Sequence, residues 1–106
     1  MPRLKFQTLT EQMFYILLCL RTECCGIDLM DRVQALTDGR VQVGSGTLYN
    51  LLEQFLSADM IVETKAEGRR RSYILTEKGR ETLQKERSRL LLQVTDYDRI
   101  FGGDNQ

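Results

Sequence analysis

Gly44-Ser45-Gly46-Thr47-Leu48-Tyr49-Asn50-Leu51-Leu52-Glu53-Gln54-Phe55-Leu56 is the stretch that decides how this chain is read. Leu48, Leu51, Leu52, Phe55 and Leu56 recur at intervals of 3, 1, 3 and 1, which lays them along one face of an α-helix. Thr47, Tyr49, Asn50, Glu53 and Gln54 are left on its other sides. Gly44 and Gly46 let another backbone come close to the helix start, and Ser45 and Thr47 bring short hydroxyls there. The unbonded N–H groups of a first helical turn, with the positive end of the helix dipole, suit a phosphate oxygen. Tyr49 and Asn50 stand where side chains reach the DNA backbone or base edges in the major groove. A plainer reading stays open: Tyr49 packs on a neighbouring helix, and Ser45 or Thr47 merely caps.

Two helices precede this one. Thr10 is placed to cap a first helix over about Glu11 to Arg21, with Met13, Ile16, Leu17 and Leu20 as its inner stripe. Phe14, Tyr15 and Leu18 make that helix apolar almost all round, so it packs on several sides. Cys24-Cys25-Gly26 breaks the pattern. A second helix follows over about Ile27 to Leu36, with Leu29, Met30, Val33 and Leu36 inward. Thr37-Asp38-Gly39-Arg40 reads as a turn with Gly39 left-handed, and Val41-Gln42-Val43 as a short extended piece.

After Ser57-Ala58-Asp59 comes Met60-Ile61-Val62-Glu63-Thr64-Lys65, rich in β-branched residues, then the turn Ala66-Glu67-Gly68, then a strand from Arg69 to Leu75. The pattern is a β-hairpin with an arginine-rich tip. Arg69, Arg70 and Arg71 repel one another on a tight turn, so an anionic partner such as a phosphate backbone or a minor groove explains them. Pairing with Glu63, Glu67 and Glu77 is the plainer account. The chain is formally neutral, but residues 65–80 hold Lys65, Arg69, Arg70, Arg71, Lys78 and Arg80 against Glu67 and Glu77. A local basic patch on a neutral protein allows DNA binding with weak long-range attraction.

Thr76 caps a last helix, whose Leu83, Leu90, Val94, Tyr97 and Phe101 step by 7, 4, 3 and 4, interrupted by Glu86 and Arg87. No later element covers this stripe, so the expected cover is the first helix, a second copy of the chain, or both. Residues 102–106 read as a frayed tail. Phe14, Tyr15, Leu18 and Tyr97 form a candidate pocket for a flat apolar or aromatic effector, with ordinary dimer core as the alternative.

With 106 residues and 42% apolar content, the chain fits a single domain with a real core. The fold class is mainly α with a small β-hairpin, a winged helix-turn-helix over 9–75 with a C-terminal dimerisation helix over 76–101. Histidine is absent, which excludes a Cys/His zinc site, and no catalytic constellation can be assembled. No metal or cofactor is expected, and the chain is not read as an enzyme. Cys19, Cys24 and Cys25 are odd in number and read as reduced thiols, with a thiol-sensing role for Cys24 and Cys25 as the alternative. The longest apolar run, Met13 to Leu20, is far below the ~20 residues of a membrane span. The start shows no secretory leader, so a cytoplasmic protein is expected.

Several runs resemble one family. Cys25-Gly26-Ile27, Gly44-Ser45-Gly46-Thr47-Leu48-Tyr49 with Leu52 and Phe55, Gly68-Arg69 through Tyr73, and Leu75-Thr76-Glu77-Lys78-Gly79-Arg80 are similar to the PadR family of bacterial transcription regulators. The resemblance extends over roughly Leu9 to Leu83. It implies a winged-helix dimer of the compact subfamily, with the last helix as dimerisation arm, usually a repressor relieved by a small molecule. Ile27, Asn50, Asp59 and Arg70 depart from the family pattern, which has an aromatic residue, proline, glycine and proline at those places. The DNA-contact candidates are Ser45, Gly46, Thr47, Tyr49, Asn50, Lys65, Arg69, Arg70 and Arg71, facing a double-stranded operator. A winged helix that binds only proteins is the rival function.

Overall fold

The structure is a computed structural model that describes residues 8–102. Its elements are α1 (Glu11–Cys19), β1 (Cys24–Cys25), α2 (Gly26–Leu36), α3 (Ser45–Ser57), β2 (Ile61–Glu67), β3 (Arg70–Leu75) and α4 (Glu77–Tyr97), closed by a π-helical turn over Asp98–Gly102. The three strands form one antiparallel sheet in the order β1-β3-β2. This is the expected winged helix-turn-helix, mainly helical, with a long C-terminal helix.

The helix starts follow local chemistry. Thr10 accepts the Met13 N–H at 3.1 Å and Thr76 accepts the Gly79 N–H at 3.0 Å, each satisfying an orphan first-turn amide. The helix ends are less obvious. After α3 the Met60 N–H reaches the Phe55 carbonyl at 2.9 Å and the Asp59 N–H reaches Leu56 at 3.0 Å. These are the paired bonds of a Schellman end, with Asp59 in the left-handed region at φ 61°. The end of α2 repeats it: Gly39 bonds to Gln34 and Asp38 to Ala35, with Asp38 at φ 57° and Gly39 at φ 81°.

The core is built where the stripes of α1, α2 and α3 meet the base of the hairpin. Ile16, Leu17, Leu20, Leu29, Val33, Leu48, Leu52, Phe55, Met60 and Ile61 are all buried. Leu36, expected inward, is exposed. Thr37 takes up the burial at that end: its hydroxyl donates to the Val33 carbonyl at 2.9 Å and accepts the Val41 N–H at 3.0 Å. That clasp buries Val41 and Val43, and the expected extended piece pairs with no strand.

Three further expectations are corrected. α1 stops at Cys19, because Leu20 leaves the helix and bonds back to Leu17. Cys24 and Cys25, read as a simple break, pair with Tyr73 and Ser72 and form the third strand. The hairpin turn is Gly68-Arg69, with Gly68 at φ 62°, so β2 runs on to Glu67 past an irregularity between Glu63 and Lys65. Gly102 belongs to the π-helical turn; the rest of the expected tail, residues 103–106, lies outside the described residues.

α4 is joined to the end of α3 at one tight place. The Thr76 N–H donates to the Met60 carbonyl at 3.0 Å and the Thr76 hydroxyl to the Asp59 carbonyl at 2.6 Å. A Cβ on Gly79 would stand 2.2 Å from the Met60 carbonyl oxygen, so only glycine permits this approach. Further along, Glu86 is 3% exposed. It accepts the Leu9 N–H at 3.3 Å and the Arg89 Nε–H at 2.9 Å. These bonds and the Leu9 contact hold its carboxyl below the usual range despite burial, the Arg89 hydrogen bond being the main cause.

Candidate nucleic-acid interface

The start of α3 is bare. Gly44 is the N-cap and offers no side chain, and no side chain caps the first-turn amides. The plainer reading of Ser45 or Thr47 as a cap therefore does not describe this helix. Ser45, Gly46, Thr47 and Asn50 are all exposed. Open amides at the positive end of a helix are suited to an anion.

Tyr49 packs on a neighbouring helix, as its plainer reading expects, yet stays exposed. Its Cε1 would lie 3.3 Å from a Cβ on Gly26, so the ring lies against the start of α2, where glycine makes room. The residue is nonetheless 45% exposed. Beside it opens a hollow of about 470 Å³, with Leu52, Leu56 and Tyr73 among its apolar walls and Arg69, Arg70 and Arg71 on its rim. Burial pushes the Tyr73 phenol above its ordinary value, with Glu63 adding to the effect, so Tyr73 is a neutral wall group. The hollow thus joins one side chain expected to read DNA, from α3, to the three wing arginines.

The arginines differ among themselves. Arg70 faces Asp28 on α2 at 3.6 Å, and Arg71 faces Glu63 across the hairpin at 3.4 Å. Arg69 and Lys65, both exposed, have no ion pair among the described residues. The carboxylate pairing expected of Glu63 occurs; that of Glu67 and Glu77 does not, and the partner of Arg70 is one the sequence reading did not name. Asp28 and Gly26 enter this site from the first turn of α2, more than 40 residues before the wing arginines. No local sequence signal ties them to it.

On the other side of the molecule, Leu83 packs against the core while Leu90, Val94, Tyr97 and Phe101 stay exposed. Leu91 and Ile100 are exposed on the flanks of that stripe, and Leu92 is exposed on the opposite face of the helix. Tyr97 and Phe101 meet with ring centroids 5.2 Å apart. Phe14 and Tyr15 line a hollow of about 310 Å³ with Leu9, Glu86 and Leu90. Leu18 lies with Phe14, Leu75 and Leu83 at another, of about 370 Å³. Tyr97 lines neither; it stands seven residues, about 10 Å of helix, beyond Leu90. The thiols of Cys19 and Cys24 are pushed up by burial, which keeps them protonated at neutral pH.

The family model described as "Transcriptional regulator PadR-like family" matches residues 16–85. The chain belongs to the PadR-like family. Its members are transcription regulators, not enzymes. Among solved structures, this PadR-like chain is similar to a PadR family transcriptional regulator from Eggerthella lenta, at 18% identity and a TM-score of 0.72 over 90% of this chain and 83% of that one. It is similar to a transcriptional regulator from Clostridium thermocellum, at 17% identity and a TM-score of 0.72 over 87% and 97%. RosR of H. salinarum shares 18% identity, with a TM-score of 0.65 over 91% and 99%. No curated protein matches the sequence. Among the described residues, no helix is long and apolar enough to cross a membrane.

Proposed function

We propose that this PadR-like chain is a sequence-specific DNA-binding regulator that works as a homodimer and represses transcription until a small apolar or aromatic molecule releases it. The reading rests above all on Tyr49 of α3 and the three wing arginines lining one hollow, with the bare start of α3 one turn before Tyr49. Ser45, Gly46 and Thr47 hold a phosphate by their amides and hydroxyls; Tyr49 and Asn50 reach the groove; Lys65, Arg69, Arg70 and Arg71 hold the flanking backbone. α3 has no basic residue between Ser45 and Asp59, so the wing supplies the charge. In a two-fold dimer the two α3 helices meet half-sites about one DNA turn, ~34 Å, apart.

The exposed stripe of α4 supplies the dimer contact, and the hollow beside Phe14, Tyr15 and Leu90 is the place for an effector, at the root of that arm. Titration of the chain against duplexes selected by binding from a random library, followed by fluorescence anisotropy at two salt concentrations, tests the reading. Specific binding that weakens steeply with salt is expected. Absence of any binding at low salt, with a protein ligand still captured, supports the rival protein-interaction module instead.

A further inference from the structure

Of the three wing arginines, two are already engaged with carboxylates of their own chain. The pair between Arg70 and Asp28 is the informative one, because it ties β3 to the first turn of α2 at the rim of the hollow. Both side chains are more than half exposed, at 61% and 57%. An exposed pair of this kind is weak and exchanges readily with another anion. A phosphate, like a carboxylate, offers a guanidinium a pair of anionic oxygens that can accept two N–H bonds.

We propose that Asp28 is an internal stand-in for a DNA phosphate: it holds Arg70 at the wing and lowers DNA affinity until a backbone phosphate takes its place. The inference rests on the DNA-binding reading above. Arg69, with no carboxylate among the described residues, engages DNA first; Arg70 follows by exchange. The arrangement lowers the affinity for any duplex, since a phosphate must displace Asp28 before Arg70 is engaged. Glu63 stands in the same relation to Arg71.

Asp28→Asn keeps the size of the side chain and removes its charge. It raises affinity for a library-selected duplex about threefold to fivefold, the worth of an exposed pair. The dependence of log affinity on log salt changes by less than one unit, because Arg70 reaches a phosphate in the bound state of either protein. In an Arg70→Gln background the same substitution gives no gain. Asp28→Glu keeps the charge and keeps the wild-type affinity. An undiminished gain in the Arg70→Gln background makes Asp28 merely a negative charge near DNA and overturns the proposal. So does an unchanged affinity in Asp28→Asn, provided that thermal melting shows α2 intact. If wild type binds no duplex at low salt, the DNA reading fails with it; if wild type binds and the substitution cycle shows no coupling, only this inference falls.

Discussion

At the scale of single residues, two positions with glycine-like demands are treated oppositely by this chain. Asp59 sits at φ 61°, closing α3 where the family pattern has glycine. A left-handed conformation is costly for a residue with a Cβ, and Asp tolerates it better than most. Asp59→Gly is therefore expected to stabilise the chain by about 0.5–1 kcal/mol, read as a rise in the urea midpoint at unchanged slope. Its carbonyl bond to Thr76 is made by the backbone and survives the change. Gly79 is the reverse case: the added Cβ of Gly79→Ala collides with the Met60 carbonyl, and a loss of about 1–3 kcal/mol is expected by the same assay. The left-handed turn at Gly39 was legible, because glycine after a helix is a local signal. The need for glycine at 79 was not, because it arises from a backbone 19 residues away.

At the scale of elements, the helices were legible from their apolar period, and their caps at Thr10 and Thr76 from the hydroxyl before the first turn. The two-residue β1 has no period to read, and only its pairing with Tyr73 and Ser72 makes it a strand. Glu86 shows the same limit. It read as an interruption in the apolar face of α4, yet it is a buried fastening between that helix and the segment before α1. Its folded pKa lies below the ordinary value of 4.5, so the unfolded chain takes up the proton first. The stabilisation is complete above that ordinary value and is lost as pH falls through the lower folded one. Glu86→Gln is expected to flatten the acid side of the stability profile, leaving less difference from wild type below the folded pKa than at neutral pH. Equal losses at every pH would assign Glu86 no role in the titration.

At the scale of the whole molecule, the apolar residues exposed between Leu90 and Phe101 are the surface on which the proposed dimer depends. Leu90→Asp with Val94→Asp is expected to give a folded monomer by sedimentation, with DNA affinity reduced because two half-sites are no longer held together. An unchanged dimer moves the contact elsewhere. Of the candidate site, α3 and the arginine wing were legible as elements, while the parts that come from α2 were not, since Gly26 and Asp28 meet Tyr49 and Arg70 only after folding. The junction of Thr76 and Gly79 with Asp59 and Met60 has a mechanical consequence. With no slack between the tail of α3 and the root of α4, the two helices behave as the arms of one crank. If the chain works as the proposed effector-released dimer, a wedge that swings the long arm by a few degrees turns the short arm with it, and the pitch at which two such cranks engage the double helix shifts without any residue of the proposed DNA side being touched.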